Sequence, residues 1–253
     1  MRAARPPESL VLPAGRRAPA GARVYAVGDI HGRSDLLDRL HDAIRADARG
    51  RALERRVVVY LGEYIDRGGD SAGAIERLAA RPLAGFEPYY LRGNHEAMMQ
   101  GFLDGDSTGL DTWLWNGGMA TLESYGLAPM AGTYSEDWAD ALRAELLRAM
   151  PPAHGDFLRA LAGAHREGDL FFAHAGVRPG VALDSQSPDD LLWVRGEFLN
   201  SDADFGALVI HGHTVTPEPD VRANRIGIDT GAWRSGRLTA AVFEGDRVAF
   251  LTT

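Results

Sequence analysis

The chain has 253 residues, of which 45% are apolar, so it can bury the core of a domain. Its net charge of −8, from 35 acidic and 27 basic residues, argues against a general nucleic-acid binder. Because cysteine is absent, disulfides, a cysteine-thiolate phosphatase mechanism and thiolate zinc sites are excluded. No apolar stretch approaches the roughly 20 residues that span a bilayer, so we expect a soluble, cytoplasmic protein without a membrane partner.

The first 22 residues carry four arginines and four prolines and little that could pack. We therefore expect a flexible leader over residues 1–22 and one domain over residues 23–253.

The following part of the chain repeats a pattern of apolar strand, polar loop and helix. The predicted strands are residues 24–27, 57–61 and 88–91, and the predicted helices are residues 34–48, 71–78 and 95–103. Ser34 and Ser71 are the expected N-caps of the first two helices. Strands that alternate with helices favour parallel βαβ crossovers.

A helical pattern without a strand candidate follows over about residues 111–163 and indicates a cap or flank. Strands are predicted again at residues 170–173, 207–210 and 225–228, and in a hairpin that pairs 238–243 with 248–251. From these late strands we expect a second, partly antiparallel sheet, and hence an α/β sandwich.

Side chains that can bind metal ions follow several predicted strands: Asp29, His31, Glu63, Asn94, His174 and His213. Ligands gather beyond the carboxyl ends of parallel strands, so we expect these side chains to converge. Oxygen and nitrogen donors without thiolates suit Mn²⁺, Fe or Zn²⁺. Two such ions roughly 3.5 to 4 Å apart can share a carboxylate and clamp a phosphoryl group during displacement. Glu63 is the candidate shared carboxylate. The alternative to metal binding by Asp29 and His31 is that they form a turn before a helix cap.

Adjacent Asn94 and His95 suggest two roles, an amide oxygen for a metal ion and an imidazole for the leaving group. Histidine is suited to general-acid catalysis, and a nearby carboxylate would orient it and favour its charged form. Asp66 is the candidate carboxylate. The alternative for Asp66 and Arg67 is an ordinary surface salt bridge.

Arg67, Arg92 and Arg195 lie near these candidates or before a later strand, and a guanidinium can bind phosphate in bidentate fashion. Since the chain contains no lysine, position carries more information here than residue type.

Three other histidines fall in helical or linking sequence and are expected to be surface or capping residues: His41, His154 and His165. His211 is left unassigned.

Five segments, in this order, resemble the PPP-type phosphoprotein phosphatases of the calcineurin-like metallophosphoesterase superfamily: 29–32 (DIHG), 62–68 (GEYIDRG), 93–96 (GNHE), 174–176 (HAG) and 212–214 (GHT). The similarity spans about residues 24–232. It is greatest to the bacterial branch that includes phage-type protein phosphatases and symmetrical diadenosine tetraphosphatases. Residues 113–118 (WLWNGG) resemble the helical section of that branch.

The resemblance implies an α/β fold, a β-sandwich flanked by helices with a helical insertion, and a centre of two divalent ions, usually Mn²⁺. At the matching positions Asp29 and His31 would bind the first ion, Asn94, His174 and His213 the second, and Glu63 would bridge them. His95 would protonate the leaving oxygen and Asp66 would orient it. Arg67, Arg92 and, less closely matched, Arg195 would bind phosphate.

One position departs from the family pattern, because Glu63 stands where the family has aspartate. The extra methylene moves the carboxylate by about 1.5 Å. Three hypotheses therefore stay open. The first is a phosphatase of phosphoserine, phosphothreonine or phosphotyrosine monoesters, in which a metal-bridging hydroxide attacks phosphorus. The second is a dinucleoside polyphosphate hydrolase acting on a phosphorylated small molecule. The third is a phosphoprotein-binding module whose activity is impaired by Glu63.

Overall fold

Two β-sheets pack face to face, and helices cover the outer face of each sheet. The computed structural model describes residues 9–51, 53–128 and 135–253. The strands are β1 (Leu10–Val11), β2 (Ala22–Val27), β3 (Arg55–Tyr60), β4 (Glu87–Tyr90), β5 (Ala164–Glu167), β6 (Leu170–Ala173), β7 (Leu208–His211), β8 (Asp220–Val221), β9 (Arg225–Gly227), β10 (Thr239–Glu244) and β11 (Arg247–Thr252).

Most helices are short and follow the strands in sequence. They are α1 (Ser34–Ala48), α2 (Ser71–Ala80), α3 (Asn94–Leu103), α4 (Leu110–Trp113), α5 (Met119–Ser124), α6 (Glu136–Ala149), α7 (Pro152–Arg159), α8 (Pro188–Trp193), α9 (Gly196–Leu199) and α10 (Ala232–Ser235). A π-helical turn, Leu114–Gly118, joins α4 to α5. The N-cap of α2 is Asp70 rather than Ser71, since the Asp70 carboxylate accepts from the N–H of Gly73 at 3.0 Å. Ser34 is the first helical residue of α1, after Arg33.

Alternating side chains of β2 show why the molecule has four layers. Tyr25 and Val27 point into the core beneath α1 and α2, whereas Val24 and Ala26 point into the core between the sheets. Every residue of β2 is buried, so this strand is covered on both faces.

The first sheet has the order β1-β11-β10-β2-β3-β4, and β2, β3 and β4 are parallel. The second sheet has the order β5-β6-β7-β9-β8, and β6, β7 and β9 are parallel. Each sheet thus contributes three parallel strands. The loops that follow these six strands form one candidate site.

The late hairpin differs from the sequence expectation. β10 and β11 do not belong to the second sheet, because β10 pairs antiparallel with β2 along five residue pairs. The side chains of Ala241 and Phe243 lie in the core between the sheets, as do those of β2 on the same face. The second sheet gains the short strands β5 and β8 instead.

The leader expected over residues 1–22 also differs from the structure from residue 9 onward. β1 pairs with β11, and Leu12 and Ala18 are buried in the core between the sheets. Apolar burial therefore holds this segment in place despite its prolines and arginines. Residues 1–8 lie outside the described residues. Among the described helices, none has the length and apolar character needed to cross a bilayer.

Candidate metal centre

Five of the predicted site residues have an unusual backbone conformation. Among the described residues, positive φ outside glycine occurs at Ala14 and at five site positions: His31, Glu63, Asp66, Arg67 and His213. Left-handed backbone is unfavourable for residues with a Cβ and is found mainly where the surrounding structure imposes it, often at functional sites. The loops after β2, β3 and β7 are thus held in conformations that aim their side chains.

The first half of the centre is formed by His31 and Glu63. The Nδ1–H of His31 donates to the carbonyl of Ile65 at 2.9 Å, which leaves its Nε2 with a free lone pair. This Nε2 lies 2.6 Å from Oε2 of Glu63. Two acceptor atoms this close need a proton or a cation between them.

The second half gathers three acceptors around His174. Its Nδ1–H donates to the carbonyl of Leu61 at 3.0 Å, so Nε2 again presents a lone pair. That atom lies 2.9 Å from Oδ1 of Asn94, 3.1 Å from Nδ1 of His213 and 3.2 Å from Oε1 of Glu63. Neighbouring ligands of an octahedral cation with bonds of about 2.1 Å lie about 3.0 Å apart. This group has the spacing and the donor types of a divalent-metal site.

Glu63 joins the two halves, with Oε2 toward His31 and Oε1 toward His174. Two groups of three side chains bring their ligand atoms within 4.8 Å of one another, namely Glu63 with His31 and His95, and Glu63 with His174 and His213. The carboxylate at position 63 therefore lies between the two candidate ligand groups, and its bridging role stays a prediction.

Asp29 is placed less directly than expected. One oxygen of its carboxylate accepts from the backbone N–H of His213 at 2.9 Å, and the other is buried with no partner in the described part of the chain. It is not a member of either three-residue group. A Cβ at Gly212 would lie 2.0 Å from this unpartnered oxygen, so only glycine fits there.

Burial and neighbouring charges perturb the titration of the groups in this centre. Burial raises the pKa of Asp29 well above its ordinary value, and the charges of Asp229 and Glu63 raise it further. Burial also acts to raise the pKa of Glu63, but the surrounding histidines outweigh it and bring that pKa well below the ordinary value. Burial lowers the pKa of His213 to about 2, so the imidazole is neutral and can bind a metal ion.

His95 and Asp66 form a buried pair beside the first half. The Nδ1–H of His95 donates to Oδ2 of Asp66 at 2.6 Å. Burial alone would lower the pKa of His95, but the charge of Glu63 and the hydrogen bond to Asp66 raise it overall. The pair thus has the geometry of an oriented general acid, and its catalytic role stays a prediction.

The structure separates the three candidate arginines. The terminal nitrogens of Arg67 lie 2.9 Å from Nε2 of His31 and 3.0 Å from Nε2 of His95. Arg67 and Arg195 line one cleft of about 660 Å³ together with His213. Arg92 lines a separate cavity of about 210 Å³, so its role in substrate binding stays a prediction.

Three residues that organise the centre were missed from the sequence. The buried carboxylate of Glu96 accepts from the backbone N–H groups of residues 63, 64, 65 and 93 at 2.8 to 3.3 Å. It thereby ties the Glu63 loop to the start of α3. Trp113 and Thr121 donate to Asp66. Glu96 lies in the GNHE segment, Trp113 in the WLWNGG segment and Thr121 in the TLESYG segment that follows it, but none of these patterns shows which backbone groups or side chains would be contacted.

Two of the three histidines expected to be surface or capping residues are placed differently. His41 and His154 are buried rather than on the surface, and they contact Tyr60 and Tyr125 respectively. His211 points away from the centre, and its Nδ1–H donates to the carbonyl of Gly212.

A two-sheet α/β sandwich whose strand-end loops carry a cluster of histidine, carboxylate and amide ligands defines a metallophosphoesterase. The model of the calcineurin-like phosphoesterase family matches residues 22–219, and the chain belongs to this family. The family resemblance and the fold class expected from the sequence are therefore confirmed.

Relatives of this chain include proteins with different named activities. Serine/threonine-protein phosphatase 1 of Salmonella typhimurium is 30% identical over 230 residues, covering 86% of this chain and 90% of the relative. The asymmetrical bis(5'-nucleosyl)-tetraphosphatase PrpE of Oceanobacillus iheyensis is 23% identical over 245 residues, covering 87% and 88%. The solved structure of a candidate diadenosine tetraphosphatase has a TM-score of 0.59 at 23% identity, covering 93% of this chain and 98% of that one.

Proposed function

We propose that this chain hydrolyses phosphoserine and phosphothreonine monoesters of proteins with the help of two divalent cations, for which Mn²⁺ is the first candidate. The observation that carries the proposal is the position of Glu63, whose two carboxylate oxygens face the two ligand groups. The relative named serine/threonine-protein phosphatase 1 supports the choice of substrate.

The residues around the centre have separable tasks. His31 and Asp29 would hold one cation, Asn94, His174 and His213 the other, and Glu63 both. When bound, a pair of divalent cations activates water as a nucleophile and neutralises charge on the phosphoryl group.

Arg67 is the candidate phosphate-binding residue in this proposal. Its two terminal nitrogens lie beside the imidazoles of His31, a proposed metal ligand, and His95, the proposed general acid. The guanidinium therefore faces the space between these two side chains. A phosphate dianion is a strong acceptor and would take both donors of Arg67 in bidentate fashion. With Arg67 on the phosphate, Nε2 of His95 can carry a proton and give it to the leaving oxygen, while its Nδ1–H stays bonded to Asp66.

The direct test is turnover of a phosphothreonine peptide with Mn²⁺, alongside diadenosine tetraphosphate at the same concentration. We expect release of phosphate from the peptide, and loss of that activity in the variant Asn94→Ala, with two ions bound per wild-type chain by elemental analysis. An inert peptide together with rapid hydrolysis of the dinucleotide would refute the proposed substrate class.

The cleft gives a specific reason to keep the dinucleoside polyphosphate hydrolase as a second candidate. Its volume of about 660 Å³ exceeds the space that one phosphate needs, and it is lined by Trp115 and Trp233 together with Arg234. Trp115 is 91% exposed, which is unusual for an indole and leaves it free to stack on a planar group.

The variant Trp115→Ala separates the two candidates. Stacking of a base on an aromatic side chain contributes about 1 to 3 kcal/mol, so KM for diadenosine tetraphosphate should rise by roughly 5- to 150-fold if the second candidate is correct. Under the first candidate, KM for the phosphothreonine peptide and for the dinucleotide should change by similar factors.

A further inference from the structure

The helical section contributes two hydrogen-bond donors to the buried carboxylate of Asp66. The hydroxyl of Thr121 donates to Oδ1 at 2.5 Å, and the indole Nε1–H of Trp113 donates to Oδ2 at 2.9 Å. The Thr121 hydroxyl also accepts from the backbone N–H of Asp66 at 2.9 Å. Asp66, Trp113 and Thr121 are completely buried, so water does not compete for these bonds.

The three donors on this carboxylate fix its plane. Oδ2 receives both the indole N–H and the Nδ1–H of His95, whereas Oδ1 receives the hydroxyl. A carboxylate held at both oxygens cannot rotate, and the imidazole bonded to it cannot rotate either. The direction of Nε2 of His95 is therefore set in part by two side chains of the helical section, which reach it through Asp66.

The π-helical turn fixes the neighbouring residue, Arg67, from the same section of the chain. The carbonyl of Gly117 accepts from the backbone N–H of Arg67 at 3.2 Å, and the carbonyl of Asn116 accepts from its Nε–H at 3.3 Å. Gly117 has φ +117, and a Cβ there would lie 2.8 Å from the nitrogen of Arg67. This section thus touches both Asp66 and Arg67, which have left-handed backbone with φ of 70° and 67°.

We propose that Trp113 and Thr121 are positioning residues for proton transfer to the leaving group, acting through Asp66 on His95. The inference rests on the proposed phosphoesterase activity. As the oxygen of a water-derived hydroxide bonds to phosphorus and the bond from phosphorus to the leaving oxygen breaks, the proton on Nε2 of His95 moves to that leaving oxygen. The products are phosphate and the alcohol, and the neutral imidazole keeps its Nδ1–H on Asp66. The helical section is then part of the catalytic apparatus and not only a cover.

Leaving-group dependence distinguishes this role from general structural support. Phenyl phosphate releases a phenolate of pKa about 10 and needs a proton donor, whereas 2,4-dinitrophenyl phosphate releases a stable anion without one. A misdirected His95 therefore slows the first ester and leaves the second almost unchanged. Loss of metal ions or of phosphate binding slows both.

The test variant is Thr121→Val, which keeps the side-chain shape and removes the hydroxyl. We expect kcat for phenyl phosphate to fall roughly 10- to 100-fold, a part of the 10²- to 10⁴-fold that general-acid catalysis supplies. For 2,4-dinitrophenyl phosphate the change should be below about threefold. Thr121→Ser should restore most of the rate, and the exposed Thr112→Val on the same section should behave as wild type. Metal content and KM should stay unchanged.

Two further measurements complete the test. In a His95→Asn background, Thr121→Val should cause no additional loss, because both changes act on the same proton transfer. Trp113→Phe, which removes only the indole donor and keeps an aromatic ring in the core, should show the same selectivity and serves if the first variant does not fold.

The outcomes separate the inference from the function on which it rests. Equal losses for the two esters, or a further loss in the His95→Asn background, would overturn the positioning role alone. A wild-type protein that hydrolyses neither ester with Mn²⁺ would refute the proposed function, and the inference with it.

Discussion

Replacing Glu96 by glutamine should destabilise the protein strongly, although this residue is not a metal ligand. Its carboxylate is the acceptor for four backbone N–H groups, with Oε1 receiving those of Tyr64 and Ile65 and Oε2 those of Glu63 and Gly93. A carboxamide has one acceptor oxygen, so its NH₂ group must face two donors. At least two hydrogen bonds to a charged acceptor are then lost.

The magnitude follows from these bonds. Each hydrogen bond to a charged group contributes about 1.5 to 3 kcal/mol, so the free energy of unfolding should fall by about 3 to 6 kcal/mol. For a chain of this size, 1 kcal/mol shifts Tm by roughly 2 to 4 °C, which gives an expected decrease of roughly 6 to 24 °C. Since the same bonds hold the loop of Glu63, the variant should also retain less metal.

The assay is thermal unfolding followed by circular dichroism with excess chelator, so that differences in metal binding do not contribute. Glu123→Gln, an exposed position on α5, is the matched control and should leave Tm unchanged. Metal content is measured separately after dialysis against Mn²⁺. A Tm for Glu96→Gln within about 3 °C of wild type would refute the reasoning, because it would mean that the four bonds contribute little.

Three other changes test the centre and the core. His95→Asn should lower kcat for phenyl phosphate by roughly 10²- to 10⁴-fold with both ions retained, and an unchanged rate would remove His95 from the mechanism. Glu63→Asp should change kcat/KM by less than about tenfold, because the Glu63 carboxylate already faces both ligand groups; a hundredfold gain would support the impaired-module hypothesis. Burial lowers the pKa of His41 to about 4. The contribution of its neutral form to the free energy of unfolding is therefore fully present above pH 6.5 and is lost as pH falls toward 4. Between pH 7.5 and 5, urea titration of wild type should show about 2 kcal/mol more loss than His41→Gln.

The structure brings most of the candidate ligands together at one edge, and the reason that the sequence indicated this is geometric. Asp29, Glu63 and Asn94 each follow a strand of one parallel set, and His174 and His213 follow strands of the other. The carboxyl ends of parallel strands share an edge, so position in the sequence pattern translates into proximity in space. The alternation of apolar strands and helices therefore determined much of the centre.

Contacts that depend on distant packing could not be predicted. β10 has the alternation of many antiparallel strands, and nothing in its sequence shows that β2 is its partner rather than a strand of the second sheet. The role of Thr121 depends on a π-helical turn that brings its hydroxyl to Asp66, 55 residues earlier in the chain. His41 was misplaced because a histidine on an apolar helix face is compatible with either burial or exposure until Tyr60 is known to face it.

The pairing of β1 with β11 has a consequence for how this protein should be handled. β11 is six residues long and would be the edge strand of its sheet without β1. The two-residue strand β1 pairs with the outer edge of β11 at Arg247 and Val248. An uncovered edge of this kind can pair with the same edge of another molecule and seed aggregation. Removing Leu10 and Val11 would therefore expose the edge of β11 and favour aggregation. Affinity tags should be placed N-terminal to Leu10, with β1 kept intact.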